Sequence, residues 1–162
     1  RDRSGIDTSM EGLGKYVLKA SKALPGDLII IGSVSGKTPN TIDLAMAAHE
    51  FGMDVIALTS VEYSSSVASQ HSSGKRLFEC ADLVLDNCAP KAEAIMDIEG
   101  LEARFGAASG YAATFLMWSA TAAAIDELLK RGITPSVLKS HNYADGPEFN
   151  KELEKIYKEY GY

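Results

Sequence analysis

Residues 27–60 read DLIIIGSVSGKTPNTIDLAMAAHEFGMDVIALTS, and the order of element types within them sets the fold class. LIIIG (28–32) is a short apolar run rich in β-branched residues, the pattern of a strand covered on both faces, as strands of parallel sheets are. Ile42, Ala45, Met46 and His49 then recur at i, i+3, i+4 and i+7, which predicts a helix stopped by Gly52, with His49 as a packed core histidine. Thr38 before Pro39 reads as an N-cap followed by proline at the first helical position. A second strand, DVIALTS (54–60), completes a strand–loop–helix–strand unit.

The alternation extends outward on both sides. Downstream come a serine-rich loop with a short helix to about Glu79 and a third strand in DLVLDN (82–87). Upstream, TSMEGLGKYVLKASKAL (8–24) places Met10, Leu13, Val17, Leu18 and Ala20 at helical spacing and stops at Pro25-Gly26. Short connections between such elements predict a doubly wound α/β domain, a three-layer sandwich in which strands near 28–32, 54–59 and 83–86 are parallel neighbours. The last third changes character. GYAATFLMWSATAAAIDELLKRG (110–132) predicts one long helix with Phe115, Trp118, Ala122, Ile125 and Leu129 on a face, ended by Gly132. That stripe is core or dimer interface, and it carries more apolar surface than one sheet face needs, so at least a homodimer is expected. A polar helix over EFNKELEKIYKEYG (148–161) follows.

With 162 residues, 46% of them hydrophobic, and no internal repeat or linker, the chain reads as a single domain over 1–162. A net charge of −6 and a pI near 5.1 work against a nucleic-acid partner, which needs a basic face. No apolar stretch has membrane-spanning length and no basic-then-apolar leader opens the chain, so the expectation is a cytoplasmic protein without a membrane partner. Cys80 and Cys88 lack the paired spacing of a zinc or redox motif and read as reduced, buried and structural. The opening RDRSGIDTSM has no initiator Met, as expected of a processed, trimmed or partial product.

The chemistry concentrates in GSVSGKTP (32–39). A nucleotide-binding P-loop needs G-x-x-x-x-G-K-[ST], but the position of its first glycine is Ile31, and counting from Gly32 leaves the loop one residue short. The other pattern, S-x-S-G-x-T, is met by Ser33, Ser35, Gly36 and Thr38. Between a parallel strand and a helix N-terminus it aims three hydroxyls and several main-chain N–H groups at one point, with the helix adding partial positive charge. That suits a phosphate monoester held without a metal. The plainer role of the same residues is to make a turn and cap the helix, which Thr38 is expected to do in either case.

Residues 27–60, with HSSGKRLFECADLVLDNCAP and LLKRGITPSVLKSHNYADGPEFNKEL further on, resemble the sugar isomerase (SIS) domain family. Within it they are similar to a subgroup called phosphosugar or phosphoheptose isomerases. The resemblance implies a SIS-type, flavodoxin-like or Rossmann-like topology, and it carries Ser33, Ser35 and Thr38 over as phosphate-binding hydroxyls, with Gly36 and Lys37 offering main-chain N–H groups. It also implies that this chain is the C-terminal portion of the family domain, without the N-terminal strands that form the middle of the family sheet. The strand at 28–32 would then present an edge for such a segment to cover.

Aldose–ketose isomerisation needs a base that moves a proton between adjacent carbons and an acid–base group that opens the ring. Glu62, His71, Glu79 and His141 stand in or beside loops, with Glu62 and His71 at the ligand-facing end of the sheet; as catalytic residues Glu62, His71 and His141 are weak candidates, since each reads as readily as a solvated loop residue. Lys75 and Arg76 could add charge toward the phosphate, and Ser64, Ser65 and Ser66 could meet sugar hydroxyls or simply cap the short helix. No cofactor and no metal constellation is expected. Two function classes follow: a phosphosugar isomerase, and a non-catalytic phosphosugar-binding sensor.

Overall fold

The computed structural model describes residues 10–160, which fall into two compact units divided between Met117 and Trp118. The first unit holds α1 (Gly14–Ala20), β1 (Leu28–Gly32), α2 (Pro39–Glu50), β2 (Asp54–Thr59), α3 (Val61–Ser65), a 3-10 turn (Leu77–Cys80) and β3 (Leu83–Asp86). A hairpin of β4 (Ala94–Met96) and β5 (Phe105–Ala107) follows, and then the start of α4 (Ser109–Lys130). The strands lie in the order β1-β2-β3 and all pair in parallel, with Leu28 opposite Asp54 and Ile56 opposite Leu83. This is the parallel α/β sheet that the strand–helix alternation predicts.

Alternation along the strands decides which face is filled. Ile31, Val55 and Ala57 point into a core with Ile42, Ala45 and Ala48 of α2, where the alanines let helix and sheet approach closely. Leu18 of α1 joins from beyond α2, and Leu77 and Cys80 close the far end. Burying Ile42 completely is worth about 1.5–3 kcal/mol. The alternate positions Leu28 and Leu83, each 53% exposed, keep apolar surface on the other face uncovered among the described residues.

Four expectations need correction. The first helix is not the whole of 8–24: α1 covers only Gly14–Ala20, and residues 8 and 9 lie outside the described residues. The Asp43 carboxylate accepts the N–H groups of Gly12 (2.8 Å) and Gly14 (2.5 Å), and Gly12 at φ +85° turns the chain out of helical geometry. A Cβ on Gly14 would lie 2.8 Å from the Asp43 carbonyl oxygen, so a side chain there would force this clamp apart. His49 is not a core residue; it is half-exposed, with Nε2 2.9 Å from Asp82 Oδ2. Asp82 also accepts the Val55 N–H at 2.8 Å, and that bond, followed by His49, holds its carboxyl below the usual range. Cys88 is exposed and takes φ +52°, while Cys80 is buried; both thiols are free. The α4 stripe is not core among the described residues, with Phe115 and Trp118 more than two-thirds exposed.

In the second unit, α4 closes as its glycine predicts. Gly132 at φ +76° sends its N–H to Leu129 O (3.0 Å) while the Ile133 N–H reaches Leu128 O (2.9 Å), capping the last carbonyls. Asn150 in α5 (Gly146–Tyr160) is buried and pairs with Lys139 at both ends, accepting its N–H at 2.9 Å and donating to its carbonyl at 2.8 Å. No helix of the described residues is long and apolar enough to cross a membrane.

Candidate functional site

The loop from Ser33 to Thr38 leaves the carboxyl end of β1 and runs into α2, the place where open α/β sheets hold ligands. The carbonyls of Val34, Gly36 and Lys37 are tied inward. Val34 O accepts the Ser60 N–H (3.1 Å) and the Thr59 hydroxyl (2.9 Å), Gly36 O accepts the Leu77 N–H (2.8 Å), and Lys37 O accepts the Gln70 N–H (2.9 Å). The Ser33 N–H extends the β1–β2 ladder to Leu58 O at 3.0 Å. With the acceptors spent this way, the N–H groups of residues 34–38 and the hydroxyls of Ser33 and Ser35 make no bond to any described residue. Unspent donors at a helix N-terminus are the groups with which a protein can hold an anion.

Thr38 differs from the expectation. Its backbone has N-cap geometry (φ −74°, ψ 137°) with Pro39 beginning α2, but its side chain caps no N–H. The Thr41 hydroxyl donates to Thr38 O (3.0 Å), so in the 3.1 Å contact between the two hydroxyls Thr38 is the donor. A ligand would have to win that proton from Thr41, whereas Ser33 and Ser35 donate without such competition.

Behind the loop lies a residue whose position sequence reasoning missed. Gly36 is buried at φ +55°, and a Cβ on it would stand 2.8 Å from Ser64 Oγ, 3.3 Å from Leu77 Cβ and 3.4 Å from Thr59 Oγ1. Ser64 is fully buried and its hydroxyl has no partner among the described residues. Of the serine run, Ser66 bonds back to Tyr63 O (2.7 Å), and the cap of α3 is Ser60, which accepts the Tyr63 N–H at 3.1 Å. Only the middle of the loop's own pattern, a glycine that must sit on something, could have signalled the contact.

Glu62 lies exposed in the first turn of α3, at the carboxyl end of β2. His71 is enclosed, its side chain 7% exposed, and Nδ1 accepts the Ser73 N–H at 3.0 Å, so the ring proton is on Nε2 and faces Glu11 Oε2 at 3.7 Å. Glu11 also takes the hydroxyl and the N–H of Ser72, which hold its carboxyl below the usual range. Together with Lys15, Asp43 and Glu50 they line a cavity of about 220 Å³. His141 is exposed in the second unit, beside the turn in which Asn142 N–H meets Ser140 Oγ (3.3 Å). Among the described residues no group of three or more His, Cys, Asp or Glu side chains could hold a metal ion.

Arg76 does not turn to the loop. It grips Glu79 through Nε (2.9 Å) and Nη2 (2.9 Å) and reaches the Ser65 carbonyl at the end of α3 (3.1 Å). The guanidinium, and then the Arg76 N–H, pull the Glu79 carboxyl down to about 2, which leaves it a poor base. Because the folded value lies below the ordinary 4.5, the pair's stabilisation is complete above pH 4.5 and is lost as pH falls toward 2. Glu79→Gln is therefore expected to melt below the wild type at pH 6 and level with it near pH 2. Thermal melts across that range check this; a gap unchanged down to pH 2 would assign the loss to something other than the charge.

Residues 3–60, which include β1, the serine loop and β2, match the SIS domain. The chain is 38% identical over 149 residues to a UPF0309 protein of Shouchella clausii, covering 92% of this chain and 61% of the relative. It is 35% identical over 150 residues to one of Listeria monocytogenes (93% and 64%) and 37% identical over 150 residues to one of Streptomyces griseus (93% and 60%). The chain thus spans about three-fifths of the length of the curated relatives it matches. The SIS domain match thus falls on β1, the serine loop and β2, the parallel strand pair and the loop described above, and the chain is similar to UPF0309 proteins over nine-tenths of its own length.

Proposed function

We propose that the loop over Ser33, Ser35, Gly36, Lys37 and Thr38 binds the phosphate of a sugar phosphate without a metal, and that the protein carrying it interconverts aldose and ketose sugar phosphates. The observation behind the binding is how the loop spends its groups: the carbonyls of Val34, Gly36 and Lys37 are occupied within the protein while the N–H groups of 34–38 and two serine hydroxyls remain donors at the N-terminus of α2. A phosphate dianion offers only acceptors, and charge-assisted bonds to it are the strong kind. The reaction class rests on the family resemblance. For the base, Glu62 is better placed than His71, since its carboxylate makes no bond to a described residue whereas the His71 ring is enclosed and spends Nδ1 on Ser73.

The test is the full-length protein with a panel of hexose, pentose and heptose phosphates, followed by NMR for aldose–ketose conversion and by calorimetry for binding. Conversion supports the isomerase; binding of a sugar phosphate without conversion of any panel member leaves the sensor; no binding at all overturns both.

The α4 stripe supports a second copy of the chain as partner. Tyr111, Phe115 and Trp118 stand at i, i+4 and i+7, each more than two-thirds exposed, an arrangement that buries well against a symmetry mate. Light scattering at micromolar concentration is expected to report at least a dimer, and Trp118→Glu to lower the mass; a wild-type monomer throughout would refute the pairing.

A further inference from the structure

Beyond the phosphate loop, the carboxyl ends of the three strands and the start of α4 border a small open cavity of about 160 Å³, lined among others by Ser33, Val34, Leu58, Asn87 and Gly110. Asn87 is 6% exposed. Its Oδ1 accepts the Ala89 N–H at 3.1 Å, which fixes the amide the right way round, because a main-chain N–H can be met only by the oxygen. The Nδ2 group then has no partner among the described residues, yet it is not among the sealed unpartnered atoms, of which Ser64 Oγ is the one found. An amide whose two donors reach the cavity and are spent on no described residue can serve a ligand oxygen in place of water.

The turn that aims Asn87 is held by more than its own bond. Cys88 adopts φ +52°, a conformation that costs a non-glycine residue about 1–2 kcal/mol. It is fastened by the Asp86 carboxylate, which accepts the Cys88 N–H (2.9 Å) and the Val61 N–H (3.1 Å), and by the Ser60 hydroxyl, which donates to Ala89 O (2.6 Å). Backbone strain maintained by surrounding bonds points to a position with a task. Facing Asn87 is the first turn of α4, where the Ala112 N–H closes on Ala108 O and the N–H groups of Ser109 and Gly110 have no intrahelical partner.

We propose that Asn87, the Gly110 N–H and the Ser33 hydroxyl form a second subsite that takes neutral acceptor oxygens, the carbonyl or hydroxyl groups of the sugar. Asn87 Nδ2 and the Gly110 N–H can only donate, and the Ser33 hydroxyl can turn to donate as well, so the subsite favours acceptors. It does not call for a second anion, because the Glu93 carboxylate already sits at this helix end, accepting the Ser109 hydroxyl and opposing the helix's positive pole. Ser33 lines this cavity and borders the phosphate loop, so it joins the two subsites. The inference rests on the phosphosugar reading and adds what holds the sugar.

Asn87→Asp keeps Oδ1 for the Ala89 N–H and replaces the donor with a charged acceptor; Asn87→Ala, which removes the donor without adding a charge beside the phosphate loop, is the companion. Calorimetry of the full-length protein with inorganic phosphate, fructose 6-phosphate and glucose 6-phosphate reads the two subsites separately. Losing a hydrogen bond to the ligand is expected to weaken the sugar phosphates about tenfold or more in both variants, with inorganic phosphate within about twofold of the wild type in Asn87→Ala. Unchanged sugar-phosphate affinity in both variants overturns the subsite and leaves the phosphate loop standing; in Asn87→Ala an equal loss for inorganic phosphate also overturns it, since the effect would then lie in the loop. A wild type that binds inorganic phosphate but neither sugar phosphate also overturns it. A wild type that binds none of the three overturns the phosphosugar reading as well.

Discussion

Gly36→Ala is expected to abolish measurable sugar-phosphate binding and to destabilise the fold. Two independent costs meet at this position. At φ +55° an L side chain pays for the left-handed backbone, and the new methyl would stand 2.8 Å from Ser64 Oγ and 3.3 Å from Leu77 Cβ, both on fully buried residues. Overpacking and backbone strain of this kind together cost about 2–4 kcal/mol. The loop can escape only by moving, and the Gly36 carbonyl that anchors the Leu77 N–H would move with it. Urea denaturation gives the stability term from the midpoint, and calorimetry the binding term. The two costs can be separated with Ser64→Ala, which removes the nearest atom. Alone it should be neutral or slightly stabilising, since it deletes a buried hydroxyl without a described partner. Combined with Gly36→Ala it should restore part of the stability, leaving the φ penalty. A Gly36→Ala protein with wild-type midpoint and affinity would mean that the loop does not have this backbone.

Ser35→Ala is expected to weaken phosphate and sugar-phosphate binding on the order of tenfold or more, since a bond from a hydroxyl to a dianion is worth about 1.5–3 kcal/mol. Because the Ser35 hydroxyl bonds to no described residue, the same change should leave the unfolding midpoint in place, which separates a ligand contact from a structural one. Lys37→Ala is the control. In a P-loop the lysine side chain is indispensable, whereas here only its main-chain N–H is used, so its loss should cost little. Magnesium-dependent ATP binding abolished by Lys37→Ala, with sugar phosphates inert, would reverse the assignment.

The strands were legible because their residues carry period and composition on their own: LIIIG, DVIALT and LVLD became β1, β2 and β3, and the helix from Pro39 ended where Gly52 could turn the chain. The three-residue strands of the β4–β5 hairpin were not, since three residues are too few to show an alternation. The periodic pattern also overstated the first helix, because helical spacing is blind to a carboxylate thirty residues away that takes the N–H groups of Gly12 and Gly14. His49 failed for a related reason: its spacing put it on the apolar side, and only the approach of Asp82 after the second crossover showed it paired and half-exposed.

The candidate site divides along the same line. By itself the sequence determined which groups are present in one short segment, serines and a threonine around a glycine between a strand and a helix start, because local chemistry and chain direction are properties of contiguous residues. Only the tertiary structure decided which of those groups remain free: that Val34, Gly36 and Lys37 spend their carbonyls on Ser60, Leu77 and Gln70, that the Thr38 hydroxyl is committed to Thr41, that Ser64 lies beneath Gly36, and that Asn87 faces Ser33 across a cavity. A hydrogen-bonding group is available to a ligand only when no other part of the chain has claimed it, and those claims are made by residues far apart in sequence that the parallel sheet brings together.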